Sequence, residues 1–117
     1  MDHFEVLTIF SSRFVRKEFR ARFLHEATKR PVDLHRRICH DIEKVFDHRY
    51  KSQAPNFQPS DQCLFLGWSS PIKVISWAEA QATMEGGGGG YLVIKSDGSA
   101  FYAETESYPA TAYAGNN

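Results

Sequence analysis

The sequence predicts an α+β fold in which N-terminal helices pack on a small, mainly antiparallel β-sheet that ends in a hairpin. Three observations predict it. Apolar residues recur at helical spacing in residues 1–50, short apolar runs of strand length follow residue 62, and Asp97-Gly98 separates two of those runs. A chain of 117 residues is a common domain size, so we expect a single domain over residues 1–117.

The helical part is expected to hold two main helices. Residues 1–10 favour a helix, because Asp2 and Glu5 have the spacing of a capping box, while the segment "VLTIF" leaves a strand as the alternative. From residue 12, apolar side chains recur every four positions as far as Pro31, which predicts one helix over residues 12–30. A second helix is predicted over residues 33–47, with Arg37 on its solvent side between Asp33 and Asp41. Its apolar stripe consists of Leu34, Ile38, Ile42 and Val45.

The remaining elements follow a loop at residues 51–62, which contains two prolines and no periodic pattern. The apolar run "CLFLGW" (63–68) predicts a central strand, and "IKVI" (72–75) predicts an edge strand. Ser76 and Glu79 form a capping box that opens a helix to about Glu85. Gly86 is expected to end this helix in a left-handed conformation. The strand–helix–hairpin part thus covers residues 63–105.

The Asp97-Gly98 pair predicts a hairpin with a two-residue turn. With such a turn, Ile94 faces Phe101 and Tyr91 faces Glu104. The last stretch, residues 106–117, is small and polar and is expected to be frayed.

The five glycines at residues 86–90 raise the question of a nucleotide site. A phosphate-binding loop runs from a strand through glycines to the N-terminus of a helix. Here the predicted order is reversed, and no lysine follows the glycines. We therefore interpret the run as a joint, and we expect no nucleotide and no other cofactor.

The cysteines and the termini bear on the compartment. Cys39 and Cys63 make no C-x-x-C pair and are expected to be buried, unpaired thiols, as in a cytoplasmic protein. The N-terminus shows no secretory signal, and no apolar stretch is long enough to span a membrane.

The spacing of the histidines does not match a zinc-binding helix motif. His35 and His40 are five residues apart, whereas zinc-binding histidines on a helix are four apart. His40 and Glu43 share a face but are too few for a metal, so we expect no metal site and no catalytic residues. A small hydrolase or nuclease that uses His35 and His40 stays as a second alternative.

Charge is unevenly distributed in a chain whose net charge is zero. Residues 1–51 carry 12 Lys or Arg against 8 Asp or Glu, and residues 52–117 carry 2 against 6. The basic residues Arg13, Arg16, Lys17 and Arg20 suggest a nucleic-acid-binding module as the first alternative.

The acidic half instead suggests docking on another protein, with Tyr91, Asp97, Tyr102 and Glu104 as the expected partner-binding residues. Trp77 is a further candidate anchor, and the acidic set is completed by Asp61, Glu79, Glu85 and Glu106. The leading hypothesis is therefore a non-enzymatic interaction protein. This size and element order occur in many small bacterial proteins, including some immunity proteins, so an inhibitor or immunity-type protein is one form that the hypothesis takes.

Overall fold

A computed structural model describes residues 2–67, 72–87, 89–107 and 109–116. It has an α+β fold, with helices in the N-terminal part and a five-stranded antiparallel sheet in the C-terminal part. The helices are α1 (His3–Phe14), α2 (Arg20–Lys29), α3 (Pro31–His40), α4 (Ile42–Val45) and α5 (Trp77–Glu85). The strands are β1 (Gln62–Leu66), β2 (Lys73–Ser76), β3 (Tyr91–Lys95), β4 (Ala100–Glu104) and β5 (Ala112–Asn116). Their order in the sheet is β2-β1-β3-β4-β5.

The predicted helix over residues 12–30 is wrong in its extent, because the chain breaks at Val15 and Arg16. Val15 is extended and forms an antiparallel bridge with Phe46, and the Arg16 amide donates to the Val45 carbonyl at 2.8 Å. A continuous helix over residues 3–29 would be about 40 Å long, whereas the molecule extends 33 Å at most. The break lets α2 fold back and pack against α1, where the Phe10 and Phe23 ring centroids lie 5.6 Å apart.

The second predicted helix is also divided. Pro31 does not simply end α2; it is the first residue of α3. Proline is well suited to this position, because the amide of the first helical residue has no partner within the helix. The helix ends at His40, and α4 resumes at Ile42. The predicted apolar stripe is nevertheless confirmed, since Leu34, Ile38, Ile42 and Val45 are all buried.

The main core lies between α1–α4 and one face of the sheet. At its centre the Phe46 ring stacks on Phe101 with centroids 4.5 Å apart, and Phe10 and Phe14 pack against Phe101 at 5.4 and 5.1 Å. The opposite face of the sheet is covered by α5 and by Phe57 of the loop, which pack on Phe65 and Val93. The molecule therefore has a small third layer beyond the two that the helices and sheet were expected to form.

The strands largely follow the prediction. β1 is an interior strand between β2 and β3, and β2 is an edge strand, as expected. Trp68 of the predicted first strand lies outside the described residues. Ser76 is confirmed as the N-cap of α5, because the Glu79 amide donates to the Ser76 hydroxyl at 3.1 Å, and the Ser76 hydroxyl donates to the Glu79 carboxylate at 3.3 Å. The β3–β4 register is also as predicted, with Ile94 opposite Phe101 and Tyr91 opposite Glu104.

Two turn details differ from the prediction. The hairpin turn is longer than two residues, because the Gly98 amide donates to the Lys95 carbonyl and the turn centres on Ser96 and Asp97. Gly98 follows with a φ of 77°. Gly86 ends α5 with a right-handed φ of −90°, and positive φ values instead occur at Gly89 and Gly90.

The expectation of a frayed tail is wrong for residues 112–116, which form β5 and pair along the whole of β4. Tyr113 is buried on the helical side of the sheet. Gly115 faces the same core, since a Cβ atom there would lie 2.9 Å from a ring carbon of Phe101. A glycine at position 115 is thus required by the packing.

No helix among the described residues is long and apolar enough to cross a membrane.

Candidate functional site

An apolar cleft of about 640 Å³ opens between the helices and one end of the sheet. Its walls include Phe4, Leu7, Leu34, Ile38, Leu66 and Leu92, with His3, Thr28 and His35 as polar members. Burial lowers the pKa of His35, because an imidazolium is poorly solvated there. The cleft is therefore an apolar space with an uncharged imidazole on its wall at neutral pH.

A cluster of polar side chains lies behind His35. The Sγ atom of Cys39 lies 3.5 and 3.7 Å from the two ring nitrogens of His35. Close to Cys39, the Nε2 atom of His40 lies 3.8 Å from a carboxylate oxygen of Glu106. Burial, reinforced by the neighbouring Glu106, raises the pKa of Cys39 to about 12. Cys39 is thus a thiol at neutral pH, which makes it a poor nucleophile.

The glycine run passes this cluster, and the approach of other parts of the same chain accounts for two of its residues. A Cβ atom on Gly90 would lie 2.4 Å from the Cys39 sulfur, and one on Gly89 would lie 2.7 Å from the Thr105 carbonyl oxygen. Gly88 lies outside the described residues. The run connects α5 to β3, the reverse of a phosphate-binding loop, as the sequence predicted.

A second concave surface, which we call the acidic groove, lies on the opposite face of the sheet. It encloses about 300 Å³ between α5, β4 and the loop that precedes β1. Its lining consists of Pro55, Trp77, Gln81, Met84, Glu85, Tyr102 and Glu104. It combines two carboxylates with an aromatic wall.

The aromatic wall and one carboxylate of the groove are held by direct contacts. The Tyr102 hydroxyl donates to a Glu104 carboxylate oxygen at 2.8 Å. The Tyr102 ring meets Trp77 edge to face, with centroids 5.8 Å apart. Burial and the bond to Glu104 both raise the pKa of Tyr102, so its hydroxyl stays protonated as a donor. Glu104 is thereby fixed in orientation at the groove.

The structure brings together only part of the expected partner-binding set. Tyr102 and Glu104 line the acidic groove. Tyr91 stands opposite Glu104 in the sheet but is only 8% exposed and packs against Phe65. Asp97 lies in the hairpin turn at the other end of β3 and β4. Sequence reasoning named Trp77 and Glu85 only individually and gave no sign that they share a groove with Tyr102.

The residues that were expected to bind nucleic acid in the first alternative lie around the break between α1 and α2. Arg16 donates from Nε to the Glu43 carbonyl at 2.7 Å, and Arg20 donates from Nε to the Val15 carbonyl at 3.0 Å. Arg13 and Lys17 are exposed. Arg16 and Arg20 therefore stabilise the break through contacts within the chain.

The proximity of Glu106 to Cys39 and His40 was missed by sequence reasoning, which treated Glu106 only as one acidic residue among several. Glu106 is more than sixty positions away from Cys39 and His40 in the sequence, so no local spacing links it to them.

Comparisons with protein families, with curated proteins and with solved structures found no match for this chain.

Proposed function

We propose that this protein is a non-enzymatic interaction protein that binds a basic segment of a partner protein in the acidic groove. The observation that carries the proposal is the pairing of two carboxylates with an aromatic wall. Among the described residues, no basic side chain forms an ion pair with Glu85 or Glu104. A partner can therefore supply the cation.

The chemistry of the groove suits a lysine or arginine side chain. Its aliphatic stem can pack on Trp77 and Met84, while its charged end reaches Glu85 or Glu104. An aromatic ring beside the cation adds attraction through its π face. The C-terminal end of α5 lies at Glu85, so the helix dipole adds negative potential at the same place.

The overall charge distribution supports the same role. The half of the sequence that builds the groove carries 6 acidic and 2 basic residues. Such an excess attracts a basic surface during diffusional encounter. Proteins that act on nucleic acids carry basic surfaces, and an inhibitor or immunity-type protein would neutralise one by occupying it.

A selection from a random peptide library displayed on phage tests the proposal. We expect the protein to enrich peptides with lysine or arginine beside an apolar residue. The double variant Glu85→Lys/Glu104→Lys should lose this enrichment, because it reverses the charge of the groove. The binding of a selected peptide should also shift the amide resonances of Gln81, Glu85 and Tyr102.

The matched control is Glu5→Lys/Glu18→Lys, which changes the net charge equally on exposed residues of the helical layer. This control should retain the selection. Peptides without basic residues, or equal losses in both double variants, would contradict the proposal.

A further inference from the structure

A mixed cluster of metal-binding side chains lies at the C-terminal end of α3. The sulfur of Cys39, a ring nitrogen of His40 and a carboxylate oxygen of Glu106 all lie within 4.8 Å of one another. We propose that these three residues bind a zinc ion, which replaces the sequence-based expectation of no metal site. The site is distinct from the acidic groove and shares no residue with it.

The fold holds the three residues together without a metal. Cys39 and His40 are the last two residues of α3. The Glu106 amide donates to the Cys39 carbonyl at 3.3 Å, which fixes the segment after β4 against the end of the helix. The Thr105 hydroxyl lies 2.7 Å from that of Ser107 and accepts from the Thr111 amide at 2.9 Å. The backbone that carries Glu106 is therefore ordered by its own hydrogen bonds.

The ligand types favour zinc. A thiolate, an imidazole and a carboxylate are the three side-chain ligands that zinc uses in proteins. Tetrahedral zinc with bonds of about 2.0–2.3 Å places its ligand atoms roughly 3.3–3.7 Å apart. The His40 and Glu106 atoms are already 3.8 Å apart. Both side chains are at least half exposed, so small rotations can close the remaining distance.

The position in the fold also favours a cation. The carbonyl groups at the end of α3 give this end of the helix a partial negative charge. Gly90 leaves space for the Cys39 sulfur, because a larger residue would overlap it. Three ligands from the chain leave one coordination position for water. His35, next to the sulfur, connects the site to the wall of the apolar cleft.

Titration of the full chain with zinc chloride, followed by calorimetry, tests the proposal. We expect one equivalent of zinc to bind. Cobalt chloride should give the visible absorption of tetrahedral cobalt and a thiolate-to-cobalt charge-transfer band in the near ultraviolet. Glu106→Gln and Cys39→Ser should each weaken zinc binding by more than about tenfold, since even outer-shell changes cost roughly 10- to 100-fold.

The chain offers a matched control for each variant. Cys63→Ser changes the other buried cysteine, and Glu43→Gln changes the exposed carboxylate nearest in sequence to His40. Both should bind zinc as the parent does. Because Glu106 is exposed, Glu106→Gln should fold normally and gives a result even if Cys39→Ser does not fold. The absence of a cobalt–thiolate band, or equal zinc affinity in Glu106→Gln and Glu43→Gln, would overturn the proposal.

Discussion

Arg37 donates its Nε hydrogen to both carboxylate oxygens of Glu26, at 2.9 and 3.0 Å. Glu26 is only 4% exposed, and the Arg37 guanidinium also lies 5.0 Å from the centre of the Phe19 ring. The prediction that Arg37 lies on the solvent side of its helix with Asp33 and Asp41 is therefore wrong. Arg37 instead joins α3 to α2 through a largely buried ion pair.

Replacement of Arg37 should thus destabilise the protein more than replacement of an arginine in a surface ion pair. We expect Arg37→Met to lower the free energy of unfolding by about 3 kcal/mol, because it leaves the Glu26 carboxylate buried without its partner. Arg36→Met is the control, since the Arg36 side chain is well exposed and forms a surface ion pair with Asp33 at 3.9 Å. It should cost less than about 1 kcal/mol. Urea unfolding measures both, and equal losses would contradict the role of Arg37.

The hairpin turn gives a prediction that depends on pH. Hydrogen bonds from the Ser99 hydroxyl and amide lower the pKa of Asp97. A carboxylate with a lowered pKa stabilises the fold above its unfolded pKa of about 3.9, and this stabilisation is lost as the pH falls through the folded pKa. Asp97→Asn should therefore lower the free energy of unfolding by about 1 kcal/mol at pH 7. This destabilisation should become progressively smaller below pH 4.

Unfolding of the parent and of Asp97→Asn across this pH range measures the difference. Ser99→Ala should weaken the pH dependence, since it removes the hydroxyl donor. If the difference in the free energy of unfolding between the parent and Asp97→Asn were the same at neutral and acidic pH, the charge of Asp97 would not contribute to stability.

The glycine run should respond differently at its two ends. Gly90→Ala should destabilise the protein by roughly 2 kcal/mol or more, because Gly90 has a φ of 80° and an added Cβ would overlap the Cys39 sulfur. Gly86→Ala should be neutral or stabilising by about 0.4–1 kcal/mol. An added Cβ there would meet nothing closer than 3.9 Å. Thermal unfolding of both variants checks this, and similar losses would mean that the run is not packed as described.

The nucleic-acid alternative makes a separate prediction. We expect generic DNA and RNA to bind more weakly than about 1 μM at about 0.15 M salt, because Arg16 and Arg20 bind carbonyls of their own chain. Fluorescence anisotropy measures this. Tighter binding with a steep salt dependence, lost in Lys17→Ala/Arg13→Ala, would favour the alternative over a protein partner.

The sequence predicted those features that depend on neighbouring residues. The apolar stripe of α3 and α4, the capping box of α5 and the register between β3 and β4 all follow from spacings of a few positions. The break at Val15 could not be predicted in this way. Val15 lies on the same apolar face as Phe19 and Phe23, and its extended conformation depends on a bridge to Phe46.

Long-range contacts also explain the other differences. The segment "AYAGN" has little strand propensity of its own, and it becomes a strand because β4 offers an edge and the core needs a small residue at Gly115. The candidate zinc ligands come together only once this C-terminal part is in place. The acidic groove likewise depends on α5 covering the second face of the sheet, which no local pattern indicated.

The strand order has a consequence for how quickly the sheet can assemble. Three of the four pairings join strands that are consecutive in sequence, and only the pairing of β1 with β3 spans another strand and a helix. Closing a short loop costs less chain entropy than closing a long one, and sheets made from local pairings fold faster. The meander of β3, β4 and β5 is thus expected to form early, whereas the contact between Val15 and Phe46 must close a longer segment that includes α2, α3 and α4.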